Sequence, residues 1–146
     1  SAMKILIIHG PNLPFLGKIS AVTGSRLTLD KVNTFLRRMA QESGIELKIF
    51  QFYSEEKILK AVARNRSDIA GLLISPGALA INCHTLRELL SILKIKTVEV
   101  HLSADHEILR VYYYDGQRQI KTKVHVNDKH AYNAIRDTLA HHSYEI

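Results

Sequence analysis

The chain has 146 residues, of which 46% are hydrophobic and 23% are charged, and its formal net charge is +6 at pH 7. This length suffices for one domain with a sizeable core, and we expect residues 1–146 to form a single domain. No apolar run approaches the roughly 20 residues of a membrane-spanning helix, and the first residues lack the pattern of a signal peptide. Ser1 and Ala2, ahead of Met3, look like an expression scar. Because Cys83 is the single cysteine, an internal disulfide is excluded and a reducing, cytoplasmic location is expected.

Neither the charge nor the histidines indicate a macromolecular partner or a metal. Lysines and arginines are spread along the chain without a basic run, so we interpret them as a solvated basic surface rather than a nucleic-acid interface. A small anionic or polar ligand suits the same charge. The eight histidines lack the spacing of metal ligands, and no metal site is predicted. Because GxGxxG and GxxxxGK are both absent, nucleotide binding by either of these motifs is not predicted.

Short apolar runs alternate with amphipathic stretches along the first hundred residues. The runs predict buried strands, which are Lys4–His9, Ile45–Gln51, Ile69–Ser75 and Lys96–His101. After the first strand, a loop rich in Gly, Ser and Thr is predicted to continue to about Arg26.

Three amphipathic helices are predicted between these strands. The first is capped by Thr28 and runs to Ser43, where Gly44 ends it. The second follows a Ser54 cap, and the third lies before the fourth strand. Their predicted buried positions follow helical spacing and are Val32, Phe35, Leu36 and Met39, then Ile58, Leu59, Val62 and Ala63, then Leu86, Leu89, Leu90 and Leu93.

Strands that alternate with helices predict parallel βαβ units with right-handed crossovers. The predicted fold class is therefore α/β, a flavodoxin-like doubly wound parallel sheet. Residues 110–126 alternate around Asp115-Gly116, which predicts a β-hairpin. Asn127 is predicted to cap a last helix, whose inward positions are Ala131, Ala134, Ile135 and Leu139. The hairpin and this helix are an extra C-terminal unit.

Ligands of open parallel sheets bind at the carboxyl ends of the strands, near the switch point of the strand order. The residues at these ends in this chain are Asn12 after the first strand, Tyr53 after the second, Ser75, Gly77 and Ala78 after the third, and Glu99, His101 and Ser103 around the fourth. We therefore predict the functional site there. Gly-Pro-Asn and Ser-Pro-Gly-Ala are both able to bring backbone N–H groups close to a ligand.

Three segments resemble motifs of the type II 3-dehydroquinate dehydratases. LIIHGPNLPFLGK resembles the GPNLNxLGxR signature, ISPGALAINCHTLRELL resembles INPGAxTHxSxALRDAL, and VEVHLSADH resembles VEVHLSNxxxRExxR. The resemblance covers residues 4 to about 107 and does not extend into the Tyr-rich hairpin. It implies the flavodoxin-like fold, a trimer-based homo-oligomer, and a cofactor-free elimination of water from 3-dehydroquinate in the shikimate pathway.

The resemblance also implies roles for particular side chains. A tyrosinate on the loop after the first strand removes a proton, and a loop arginine lowers the pKa of that tyrosine, which is otherwise about 10. An asparagine positions a water, and this position is Asn12. Glu99, His101, Leu102 and Ser103 also match the family motif. Glu88 replaces an aspartate that reaches a neighbouring subunit's site.

The remaining functional positions differ from the family motif. Ile19 stands at the arginine position and Thr23 at the tyrosine position, and no tyrosine precedes Tyr53 in the chain. Ser75 stands at the position of the asparagine that holds the substrate in the family motif. Other polar positions of the motifs hold apolar or aromatic residues here, namely Pro14, Ile81, Ile108 and Tyr112. Loss of the base, its activator and several anchors together argues against dehydroquinate dehydration.

Three hypotheses follow from these substitutions. The first is a family member that keeps the fold without the activity and acts as a binding, scaffolding or regulatory module. The second is an enzyme that uses Glu99, His101 or Tyr53 on a more apolar substrate. The third is a dehydratase with Tyr53 as a surrogate base and Arg26 as a surrogate cation. Tyr112, Tyr113 and Tyr114 are interpreted as strand formers or a subunit interface.

Overall fold

The structure is a computed structural model that describes residues 3–21, 26–77, 84–102, 108–115 and 118–125. Side chains are described for residues 3–18, 21, 26–77 and 84–100. The strands are β1 (Met3–His9), β2 (Ile45–Gln51), β3 (Gly71–Ser75), β4 (Thr97–Leu102), β5 (Ile108–Asp115) and β6 (Arg118–His125). The α-helices are α1 (Leu16–Ala21), α2 (Leu29–Ser43), α3 (Glu55–Asn65) and α4 (His84–Leu93), and a 3₁₀ turn spans Leu13–Phe15.

The six strands form one sheet in the order β2-β1-β3-β4-β5-β6. The first four are parallel, and their order 2-1-3-4 is that of a flavodoxin-like sheet, which confirms the predicted fold class. β5 and β6 are antiparallel, and their register pairs Asp115 with Arg118, which confirms the predicted hairpin. The helix predicted after Asn127 lies outside the described residues.

Alternate residues of β1 face opposite sides of the sheet, so this strand contributes to two cores. Ile5 and Ile7 pack with α2, and Leu6 and Ile8 pack with α3 and α4. All four are fully buried, as expected of a parallel strand that helices cover on both faces. The two helical layers therefore lie on opposite faces of the sheet.

The helix caps lie where the sequence predicts them. The Thr28 side chain accepts a hydrogen bond from Lys31 N at 3.2 Å, and Gly44 ends α2 in the left-handed conformation with φ of 69°. Ser54 caps α3 in the same way. In α3, however, the prediction for Ala63 is wrong, because Ala61 lies in the buried stripe and Ala63 is only partly buried. Residues 58, 61, 62 and 65 share one helical face, and residue 63 is rotated away from it.

One predicted loop is helical in the structure. Residues 13–21 form the 3₁₀ turn and α1 rather than an irregular segment, so the loop prediction was wrong here. Leu16 is 4% exposed and joins the core beneath α2. A Cβ on Gly17 would lie 3.1 Å from Thr28 Cγ2, so α1 approaches the start of α2 closely. Packing of Leu16 thus gives helical order to a stretch whose composition favours a loop.

Within the described part of the chain, no helix is long and apolar enough to cross a membrane.

Candidate functional site

The carboxyl ends of β1, β2 and β3 meet at one edge of the sheet. The register places His9 beside Gln51 of β2 and beside Ser75 of β3. The segments that follow these three strands therefore begin side by side. This arrangement brings Asn12, Tyr53, Ser75 and Gly77 to the same edge, as the sequence predicts.

The segments after β1 and β3 contact each other backbone to backbone. Gly10 N donates a hydrogen bond to Ser75 O at 2.8 Å. A Cβ on Gly10 would lie 2.7 Å from Ser75 O and from Pro76 O, and a Cβ on Gly77 would lie 2.8 Å from Pro11 O. Gly77 also has a φ of 59°, which glycine adopts without strain. The N–H of Gly10 is therefore bound within the protein and is not offered to a ligand.

Asn12 lies at the start of the 3₁₀ turn and has an exposed side chain. Its backbone is left-handed, with φ of 67° and ψ of 0°, a conformation that asparagine tolerates better than most residues. Asn12 O accepts a hydrogen bond from Phe15 N at 2.9 Å, and the side chain makes no capping hydrogen bond. The turn thus presents the Asn12 amide outward at the edge of the sheet.

The segment after β2 is held to the end of β1. Phe52 N donates to His9 O at 2.9 Å, and the Gln51 side-chain amide donates to Gly10 O at 3.3 Å. Phe52 also stacks on Phe50 with the ring centroids 5.5 Å apart. The next residue, Tyr53, is 53% exposed. Tyr53 is therefore a surface side chain next to these contacts, and Gln51 is a contact residue that the sequence did not indicate.

Glu99 is in the interior of the protein. Its side chain is 1% exposed, and Oε1 lies 3.6 Å from Arg87 Nη2 on α4. Its neighbour across the sheet is Ile74, one residue before the end of β3. The carboxylate is therefore buried and faces Arg87 of the helix layer.

Two other predicted residues lie at the surface. Glu88 is exposed on α4, next to Arg87. Arg26 is exposed before α2, and its carbonyl oxygen accepts a hydrogen bond from Lys31 Nζ at 2.8 Å.

For the remaining predicted positions, the structure describes either the backbone alone or no part of the residue. The backbone of His101 pairs with Arg110, and that of Leu102 pairs with Leu109. The structure describes these two residues by their backbone alone, and the same is true of Ile19, Ile108 and Tyr112. Thr23, Ala78, Ile81 and Ser103 lie outside the described residues. Among the residues that are described, no group of three or more His, Cys, Asp or Glu side chains is arranged to hold a metal ion.

His9 is a buried polar residue at the end of β1, where the sequence predicts a strand and no functional role. Its side chain is 3% exposed, and Nε2 lies 2.7 Å from Asn33 Oδ1 on α2. Burial lowers the pKa of His9 below the usual 6.5, and the hydrogen bond to Asn33 opposes this effect. The neutral imidazole therefore ties the edge of the sheet to α2. The sequence feature that indicates a buried polar role for His9 is its position at the end of an otherwise apolar run.

Stability is expected to fall as the pH decreases through 6.5, because the unfolded chain then binds a proton at His9 more readily than the folded chain does. The contribution of neutral His9 to stability is complete above pH 6.5. It is lost progressively as the pH falls towards the lowered pKa of His9. His9→Gln keeps an N–H donor near the position of Nε2 and removes the titration. Urea unfolding at about pH 7 and about pH 5 should show a smaller loss for this variant than for wild type.

The matched control is His84→Gln at an exposed position on α4. The loss in His9→Gln is compared with the loss in this variant as well as in wild type. If lowering the pH destabilised His9→Gln as much as wild type, groups other than His9 would cause the pH dependence of stability.

Comparisons with known proteins agree with the motifs and the geometry. Residues 3–113 match the family model described as dehydroquinase class II. The 3-dehydroquinate dehydratases of Thermotoga neapolitana and Geotalea daltonii are each 36% identical over 104 residues, which is 71% of this chain and 70% and 72% of theirs. The crystal structure of a type II dehydroquinase from Butyrivibrio crossotus superposes with a TM-score of 0.62 at 28% identity, over 70% of this chain and 72% of that one. The chain therefore belongs to the class II dehydroquinase family.

Proposed function

We propose that this chain keeps the family fold without the dehydratase chemistry and acts as a binding module, with a scaffolding or regulatory role, for a small anionic or polar ligand. The observation that carries the proposal is the composition of the segment after β1. From Gly10 to Arg26 it contains no Tyr, His, Cys, Asp or Glu. It therefore lacks the tyrosine to which the family resemblance assigns proton removal, and it holds no other phenol, imidazole, thiol or carboxylate.

Tyr53 and Glu99, the candidate surrogates for this base, are not well placed to replace it. Tyr53 follows β2 and is 53% exposed, so water surrounds much of its ring. Glu99 is buried and faces Arg87 at 3.6 Å, an arrangement that serves packing of α4 on the sheet. General-base catalysis contributes typically about 10²–10⁴ to a rate, so losing it alone removes most of the activity.

A ligand-binding role is supported by the groups that remain. Asn12 presents an exposed amide at the edge of the sheet, and Lys18 and Arg26 are exposed cations in the same segment. With no carboxylate between Gly10 and Arg26, the local charge is positive. A small anion is the chemistry that an amide and two cations suit.

The activity is tested by incubating the full chain with 3-dehydroquinate and following the ultraviolet absorbance of the conjugated product. We expect the rate to equal that of buffer, under conditions in which the Thermotoga neapolitana relative turns over the compound. Turnover above the buffer rate would contradict the proposal. If Tyr53→Phe abolished such turnover, Tyr53 would be a surrogate base.

The binding role is tested by melting temperatures in a panel of small carboxylates and phosphates. A ligand that binds the folded state raises the melting temperature, and a concentration of 100 times the Kd adds about 2.7 kcal/mol to the stability. We expect such a shift in wild type and a smaller one in Asn12→Asp, which has nearly the same shape and repels an anion. Equal shifts in both proteins, or no shift with any compound, would contradict binding at this edge.

A further inference from the structure

The register of β5 and β6 divides the residues of the C-terminal hairpin between two faces of the sheet. Neighbours along a strand alternate between the faces, and residues directly opposite each other in an antiparallel pair share a face. One face, which we call the basic-aromatic face, holds the pairs Arg110 with Lys123, Tyr112 with Lys121, Tyr114 with Gln119 and Ile108 with His125. The other face holds the pairs Leu109 with Val124, Val111 with Thr122, Tyr113 with Ile120 and Asp115 with Arg118.

The two faces differ in their chemistry. The basic-aromatic face has three cations, two tyrosines and a histidine, and none of its paired residues on β5 and β6 is Asp or Glu. The opposite face is mostly apolar, so it is the one suited to packing. Lysine and arginine are almost never fully buried unless they are paired. The basic-aromatic face is therefore the one suited to solvent or to an anionic partner.

Strand pairing gathers cations that are scattered in the sequence. Arg110 on β5 lies between His101 of β4 and Lys123 of β6, so three basic residues form one row across three strands. Neighbouring strands are about 4.8 Å apart, which makes this row about 10 Å wide. The chain has no basic run, and the fold nevertheless produces a local basic cluster.

The carboxylate that β4 contributes to this face is compensated within the protein. Glu99 is opposite Tyr112 in the register. Its side chain is 1% exposed, and Oε1 lies 3.6 Å from Arg87 Nη2 on α4. Its negative charge is therefore balanced by Arg87 and does not offset the cations of the hairpin.

Protection of a sheet edge explains only part of this pattern. β6 is the last strand in the order of the described sheet, and lysines on an edge strand discourage pairing with another chain. This accounts for Lys121 and Lys123. It does not account for Arg110 or for the two tyrosines on the same face, because β5 lies between β4 and β6 and is not an edge.

We propose that the basic-aromatic face binds single-stranded nucleic acid. Such a strand needs cations for its phosphates and aromatic rings for its unstacked bases, and both are combined here on one sheet. Tyr112 and Tyr114 are two residues apart on β5, or about 7 Å along the strand. An acidic peptide would match the cations and give the tyrosines no planar partner. The charge and the rings together therefore favour a nucleic acid.

This face is separate from the proposed small-ligand site. Asn12 and Tyr53 follow β1 and β2, whereas the basic-aromatic face is on the strands at the other end of the sheet order. Lys121 and Lys123 also lie beyond residues 3–113, which match the family model. Failure of small anions to bind near Asn12 would therefore leave the nucleic-acid proposal unchanged.

The proposal is tested first with the full chain and labelled oligonucleotides of uridine and of thymidine, about 20 nucleotides long so that they exceed the site of one small domain. Fluorescence anisotropy measures the Kd over a range of salt concentrations. Three cations on a single strand give an expected slope of log affinity against log salt of about −2. No binding of either oligonucleotide at about 50 mM salt would overturn the proposal.

A double variant then locates the binding surface. Lys121→Gln/Lys123→Gln should weaken binding roughly tenfold or more at low salt and reduce the magnitude of the slope by about 1.4, or about 0.7 for each cation. The matched control is Lys57→Gln/Lys60→Gln, which removes the same charge from two exposed positions on α3. The control should bind within about twofold of wild type. Equal weakening in the two double variants would overturn the proposal, since net charge alone would then control binding.

Substitutions of Tyr112 separate stacking on a base from other uses of the cations. Tyr112→Phe keeps the ring and should bind within about twofold of wild type, whereas Tyr112→Leu should weaken binding about fivefold or more. Tyr114→Leu is the second variant of this kind, and circular dichroism checks that each protein is folded. Wild-type affinity in both leucine variants would overturn the proposal. Binding of a duplex or of polyglutamate as tightly as the single strand would also overturn it, because cations alone would then suffice.

Discussion

Replacing Gly10 with alanine is expected to lower the free energy of unfolding by about 2–4 kcal/mol. The added Cβ would lie 2.7 Å from both Ser75 O and Pro76 O and 2.9 Å from Pro76 C. These are backbone atoms at the end of β3, so no side-chain rotation relieves the contact. Relief requires the two segments to separate, which weakens the hydrogen bond from Gly10 N to Ser75 O. Urea unfolding of the variant and the wild type measures the loss.

Gly44→Ala is the matched control for this substitution. Gly44 has a φ of 69°, and a Cβ at this position would meet no atom within 4 Å. Its cost is therefore conformational alone, about 1–2 kcal/mol. If Gly10→Ala destabilised the protein no more than Gly44→Ala, the close approach of the two segments would not be energetically important.

Arg87→Met is expected to lower the free energy of unfolding by about 2–3 kcal/mol. Glu99 is 1% exposed, and this substitution removes the cation that lies 3.6 Å from its carboxylate. The expected loss is at the lower end for broken buried ion pairs, because the Arg87 side chain is itself 37% exposed and water screens it in part. Methionine keeps much of the apolar stem, so lost packing contributes little.

The second substitution Glu99→Gln tests whether charge causes the effect of Arg87→Met. An amide in place of the carboxylate needs no cation, so the double variant should recover about half or more of the loss. Arg64→Met, at an exposed position in the last turn of α3, should cost only a few tenths of a kcal/mol, about the value of a charge at a helix end. Additive losses from the Arg87 and Glu99 substitutions would contradict a direct interaction between the two side chains.

Gly10, Gly77, Arg87 and Glu99 all lie within the segments that resemble the family motifs, and each has a structural reason to be there. The two glycines permit contact between neighbouring segments, and the ion pair joins α4 to β4. None of these roles depends on dehydration of a substrate. The fold by itself therefore gives each of these motif residues a structural role.

The secondary structure was predictable because its signals are local. A helix needs a cap, a periodic apolar face and a stop, and Thr28, Leu36 and Gly44 supply these within one short window. The apolar run of β1 and the hairpin around Asp115 are equally local. Where a distant contact decides the outcome, the same reasoning failed: α1 forms in a predicted loop, and Leu16 of that helix packs in the core.

The candidate site also has a part that was predictable from the sequence and a part that depends on distant contacts. The carboxyl edge of the sheet was predictable from the order of strands and helices, and Asn12 and Tyr53 do lie there. The contacts that organise the edge join residues far apart in the chain, such as His9 with Asn33 and Gly10 with Ser75. No local pattern reports which distant backbone or side chain will be adjacent.

The sequence by itself determined the order of strands and helices, the family motifs and the absence of Tyr, His, Cys, Asp and Glu from Gly10 to Arg26. Only the tertiary structure decided that His9 is buried against Asn33, that Glu99 faces Arg87, and that Arg110 and Lys123 are paired on one face of the sheet. The physical reason is that propensity and periodicity act over a few residues. Burial, charge pairing and close backbone approach depend on where the fold places each segment relative to the others.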